Sequence, residues 1–96
     1  MPTHDELPRF LRDWASLDRA QRALFLAALQ LFVGGVAQRD FDPRLRVKRV
    51  QGRPGVWEMT WAADGRATFE YGLEVIAGEP HVIWRRISTH DVFRRP

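Results

Sequence analysis

The chain has 96 residues, of which 45% are hydrophobic and 28% charged, with a net charge of +3 and no cysteine. That length holds one core, so a single domain over residues 1–96 is expected. The lack of cysteine excludes a disulfide framework and a thiolate metal site, and is compatible with a reducing compartment.

His4, His81 and His90 show no i, i+4 or HxH spacing, so neither a metal site nor a cofactor is expected. The start MPTHDELPRF lacks the basic and apolar regions of a signal peptide. The apolar run Ala23 to Val36 is interrupted by Gln30, Gly34 and Gly35, too short to span a bilayer. A cytoplasmic protein with no membrane partner is the expectation. Charge is uneven: residues 1–43 carry net −1 and residues 44–96 net +4, with five basic groups and no acid between Arg44 and Arg53. Such a balance suits an anionic partner, or simply a solvated basic strand.

In chain order, residues 5–17 predict a helix whose apolar stripe is Leu7, Phe10, Leu11, Trp14 and Leu17. Asp5 and Glu6 suit its positive end, and Pro8 is tolerable near its start. Asp18 and Gln21 form a capping-box pattern that opens a second helix to about Val36, with Phe25, Ala28, Leu29, Phe32 and Val36 as its buried face. A tight helical hairpin follows from the short join at Leu17 and Asp18.

Beyond Asp40 the period changes. Strands are predicted over 45–50, 56–62, 66–75 and 81–87, separated by QGRPG, by Asp64-Gly65 and by AGEP. Alternation puts Trp57, Met59 and Trp61 under the helices, together with Ala67, Phe69, Tyr71 and Leu73. Glu58, Thr60, Arg66, Thr68 and Glu70 fall on the open face. The last strand is ambiguous, because Val82/Trp84/Arg86 and Ile83/Arg85/Ile87 both mix apolar with charged residues. Strict alternation sends Arg85 and Arg86 to opposite faces. The fold class is then α+β, an αα-hairpin on one face of a four-stranded, mostly antiparallel sheet.

The segment HVIWRRISTHDVF, His81 to Phe93, gathers guanidinium, imidazole and aromatic groups. These hold a phosphate, move a proton and stack a base. His90 has the side chain whose ordinary pKa lies near neutrality; the plainer reading is a histidine bonding a backbone carbonyl. Arg66 and Arg86 could clamp a phosphate bidentately, or pair with Glu58 or Glu70 across the sheet. Glu70 could be a second acid–base group, or a salt-bridge partner. Phe93 could stack on a base or anchor the tail. Asp91 and His81 read as exposed, and the tryptophans 14, 57, 61 and 84 mostly as core.

The element order and the text VQGRPGVWEMTW, then DGRATFEYG, resemble the RelE/ParE superfamily of bacterial type II toxins over roughly residues 10–93. The run Arg86-Ile87-Ser88-Thr89-His90-Asp91-Val92-Phe93 is similar to the end of the last strand in the YafQ-like branch. The resemblance implies a RelE-like fold and a ribosome-dependent mRNA endonuclease that cuts without a metal. Its implied partners are a cognate antitoxin protein, the ribosome and mRNA. It also implies that Arg66, Arg86, His90 and Phe93 line the cleavage site, with Arg86 on the open face. Lys48, Arg49 and Arg53 would hold phosphates. ParE-like members inhibit DNA gyrase instead, and an inactive RelE-fold binding module is a further alternative. The chain departs from the family in three ways. The family's N-terminal strand is expected to be missing, Glu58 and Thr60 stand where the RelE type has lysines, and Phe93 follows His90 by three residues.

Overall fold

The computed structural model describes residues 2–89. The order is β1 (Thr3–Glu6), α1 (Pro8–Ala15), α2 (Arg19–Val33), a 3₁₀ turn at Pro43–Leu45, β2 (Lys48–Arg49), β3 (Trp57–Thr60), β4 (Arg66–Gly72) and β5 (His81–Ser88). The two helices pack on one face of a single mixed sheet of five strands in the order β1-β5-β4-β3-β2.

The expected absence of an N-terminal strand is therefore corrected, and so is the count of four. Thr3–Glu6 runs parallel to β5, in register Thr3↔His81 through Glu6↔Trp84. The strand was hidden because THDE has no apolar alternation; it is an edge strand held largely by backbone bonds. Pro8 explains why the helix starts late. The residue before a proline is pushed to extended backbone, and Leu7 sits at φ −69°, ψ 153°. Asp5 and Glu6 thus belong to the strand, not to the first helical turn.

The α2 start matches its sequence signal. The Asp18 carboxylate accepts from the Gln21 N–H at 2.8 Å, and the Gln21 side chain accepts from the Asp18 N–H at 2.8 Å. Arg22 on α2 donates to the Trp14 carbonyl at 3.0 Å, satisfying the end of α1 and locking the hairpin. The last turn gives way at Gly34–Gly35, where a Cβ on Gly35 would stand 2.3 Å from the Asp40 carbonyl oxygen.

Between helices and sheet lies an aromatic core. Phe10, Phe25, Phe32, Phe69 and Trp84 are all at most 5% exposed. Trp84 meets Phe25 at 5.4 Å and Phe32 at 5.0 Å between ring centroids. Each such ring contributes roughly 1.5–3 kcal/mol on burial. Met59, Trp61 and Ala67 join them as alternation predicts, but Leu73 lies beyond β4 and is 92% exposed.

The predicted strand over 45–50 shrinks to two residues. Leu45 closes the 3₁₀ turn, and Arg46 adopts the left-handed region at φ 49°, which breaks the alternation. Arg44, Arg46 and Lys48 accordingly do not share a strand face.

Candidate nucleic-acid interface

The face of the sheet away from the helices is set by cross-strand register, since residues directly opposite share a face. Lys48 opposes Glu58, Glu58 opposes Thr68, and Thr68 opposes Arg86. These four side chains form one row across β2, β3, β4 and β5. At the usual strand spacing the row is about 14 Å long. The neighbouring row is Thr60, Arg66 and Ser88.

Arg86 reaches this face through a bulge. Phe69 opposes Trp84, yet Thr68 opposes Arg86, so Arg85 is the extra residue. The bulge resolves the ambiguity of the last strand. Before it, Val82 and Trp84 point to the core and Ile83 away. After it, Ile87 points to the core and Arg86 away. It also overturns the alternation argument for Arg85, whose guanidinium bonds Glu70 at 2.7 Å on the same side as Arg86.

The cations are held by acids from other elements. The Arg86 Nε donates to Asp13 Oδ2 at 2.6 Å and its Nη2 to Asp13 Oδ1 at 3.1 Å, while Oδ2 also accepts from the Ile87 N–H at 3.1 Å. Asp13 thereby seals the stretch of β5 that β1 does not reach. Its hydrogen bonds raise the Arg86 pKa above the ordinary value. Lys48 Nζ lies 3.4 Å from Glu58 Oε1. Among the described residues Glu58 pairs with Lys48 and Glu70 with Arg85, rather than with Arg66 or Arg86.

Glu58 and Thr68 are 1% and 0% exposed, although they point away from the helices. Glu58 Oε2 and Thr68 Oγ1 have no hydrogen-bond partner among the described residues. Leaving a buried polar atom unpaired costs about 1–3 kcal/mol, so this pair is a local deficit in the centre of the row.

Of the residues expected from sequence, Arg86, Arg66 and Lys48 share this face. Arg66 is engaged locally, its Nη1 donating to the Gly65 carbonyl at 2.9 Å. Arg49 opposes Trp57 and stacks over its ring at 5.1 Å, which places it on the other face. Arg53 sits exposed in the β2–β3 turn. His90, Asp91 and Phe93 lie outside the described residues. His81 is buried rather than exposed, its Nδ1 2.7 Å from Thr3 Oγ1 and its Nε2 3.0 Å from Asp5 Oδ2. It clasps β1 to β5. Sequence reasoning missed Asp13 and Arg85. Asp13 carries no local signal, because its partner is 73 residues away; for Arg85 the only signal was the mixed pattern of both candidate faces.

A second feature lies on the helix side. A groove of about 550 Å³ runs between β1, the helices and β5, lined by residues such as Phe10, Leu11, Trp14, Leu26 and Trp84. Among the described residues, no helix is long and apolar enough to cross a membrane.

No family model matches the chain, and no curated protein matches it. Solved structures do. The RelB–RelE antitoxin–toxin complex from Methanococcus jannaschii is 13% identical, with TM-score 0.57 and 86% of each chain covered. A copper-bound mutant toxin from Helicobacter pylori is 14% identical, with TM-score 0.60 over 94% of this chain and 96% of that one. The DinJ–YafQ complex from E. coli is 11% identical, with TM-score 0.58 and 94% of each chain covered. At these identities the likeness speaks for architecture, and the helical pair on a mixed five-stranded sheet is a RelE-like toxin fold.

Proposed function

We propose that this chain is the toxin of a type II toxin–antitoxin pair and cleaves mRNA on the ribosome. The observation that carries the reading is Arg86, a guanidinium locked by Asp13 on the helix-free face of a RelE-like sheet. Holding it rigidly avoids reorganisation when charge builds on a phosphate.

In the reaction, a base takes the proton from a ribose 2′-OH. The 2′-oxygen attacks the adjacent phosphorus, the bond to the 5′-oxygen breaks, and an acid returns a proton to that oxygen. Arg86 stabilises the pentavalent phosphorus, with Arg66 as its neighbour in the next row. His90 is the proposed proton carrier and Phe93 the proposed stacking residue. Lys48 and Arg53 are proposed phosphate contacts along the strand, while the position of Arg49 over Trp57 argues against it. The ion pair with Arg85 argues against Glu70 as an acid–base group. The RelB–RelE and DinJ–YafQ structures are toxin–antitoxin complexes by description, which supports a cognate antitoxin as partner. The ribosome, mRNA and a cytoplasmic location complete the proposal.

One observation favours a non-catalytic binding module instead: Arg66 is spent on its own hairpin carbonyl. Induced expression with RNA-end mapping separates the readings. Arg86→Lys and His90→Ala should each lower cleavage by about 10²–10³-fold with the protein still folded by circular dichroism. Cleavage unchanged in both variants removes the site assignment. Intact mRNA with damaged DNA would instead select gyrase inhibition.

A further inference from the structure

Three arginines stack on aromatic rings among the described residues, and they differ in what else they do. Arg22, over Trp14, also donates to main-chain carbonyls. Arg39 lies over Tyr71 at 4.0 Å and Arg49 over Trp57 at 5.1 Å, and neither side chain has a hydrogen bond or an ion pair among the described residues. Both are exposed. Their platforms are fixed. The Tyr71 hydroxyl donates to the Val36 carbonyl at 2.9 Å, and Trp57 packs against the core. Arg39 itself sits in the left-handed region at φ 55°, which residues other than glycine rarely adopt. Its turn is closed by the Asp40 N–H, which donates to the Gly35 carbonyl at 3.1 Å. Register brings the two pairs together. Trp57 opposes Phe69, and Tyr71 is two residues further along β4 on the same face. Such diagonal neighbours are about 7–8 Å apart. Both rings are on the helix side of the sheet, opposite the row that holds Arg86. Two guanidiniums thus lie flat on neighbouring platforms, next to the turn that ends α2.

We propose that Arg39 and Arg49, carried by Tyr71 and Trp57, form a second binding surface, for single-stranded RNA, on the side of the sheet opposite the proposed cleavage site. A guanidinium that lies flat on a ring turns its edge N–H groups outward, where they can hold phosphate oxygens bidentately. Its outer plane stays open to a base. The resulting stack of ring, guanidinium and base favours RNA over an acidic protein segment, which would use the charge alone. The run from Arg44 to Arg53, with five basic groups and no acid, adds a positive field around Arg49. The surface goes beyond the functional reading above and does not require that the chain cut RNA.

The test titrates the purified protein against fluorescein-labelled poly(A) over a range of salt concentrations. Arg39→Gln and Arg49→Gln should each reduce the slope of log K against log salt by about 0.7. Arg39→Gly should do the same while melting no earlier than wild type, because glycine accepts the left-handed backbone; unfolding cannot imitate that result. Arg39→Lys and Arg49→Lys keep the charge and lose the plane. They should keep the salt slope, which counts charges, and weaken poly(A) by about five-fold or more. Polyphosphate, which has no bases, should be weakened less. Unchanged slopes in the glutamine variants overturn the surface. So do lysine variants that bind poly(A) as tightly as wild type. Glutamine variants that lose poly-glutamate but keep RNA also overturn it, and assign the pair to an acidic protein segment. Wild-type protein that binds poly(A) with the predicted slopes but never cuts on programmed ribosomes removes the nuclease reading and leaves the surface standing. Wild-type protein that cuts, with full slopes in the glutamine variants, removes the surface alone.

Discussion

The two faces of the sheet are built on opposite terms. Under the helices, Phe32, Phe69 and Trp84 meet edge-on or tilted at 4.9–5.5 Å, and among the described residues Trp61 Nε1 is a buried side-chain polar atom without a hydrogen-bond partner. On the other face, the buried centre is Glu58 and Thr68, each with an unpaired oxygen, and the flanks are cations held by acids. One side supplies stability. The other spends some of it to keep polar groups in a fixed array, which is where functional sites usually depart from good packing.

The contrast can be broken at three points. The largest effect is expected in the core: Phe69→Ala should cost about 3–5 kcal/mol, read as a shift of the urea midpoint. A loss under about 1 kcal/mol would mean that the aromatic cluster is not the main source of stability. The sign should reverse across the sheet. Thr68→Val removes a buried hydroxyl that is unpaired among the described residues, at nearly equal volume, and should stabilise the fold by about 1 kcal/mol. Destabilisation by thermal melting would show that the hydroxyl is satisfied in solution.

The smallest effect is at the rim. Arg44 hydrogen bonds hold the partly exposed Asp42 carboxyl at about 2, against 3.8 for an unpaired one. A depressed folded-state pKa gives stability that is present above the ordinary value and lost as pH falls through about 2. Because Arg44 is exposed and solvent screens the pair, a carboxyl NMR titration is the proper readout. Arg44→Ala should return the midpoint toward 3.8.

Much of this was readable in one dimension. The Asp18 capping box, the Asp64-Gly65 turn and the alternation of Trp57, Met59 and Trp61 each express a local rule. What escaped depends on distant partners. THDE becomes a strand only because β5 offers an edge to it. His81 is buried because Thr3 and Asp5 close over it. A bulge leaves no mark on composition, yet it moves Arg85 to the side of Arg86 and lets Trp84 and Arg86, two residues apart, face opposite ways. The site was partly legible for the same reason: charge shows in sequence, while the acids that aim it do not.

The parallel pairing of Thr3–Glu6 with His81–Trp84 has a consequence for biosynthesis. β1 docks on a strand 78 residues further along the chain, so it must wait, unpaired, until β5 has been made. Sheet closure is thus a late, long-range step. Until it happens, the border of β5 is a template for any passing strand, and the unfinished sheet is prone to aggregate.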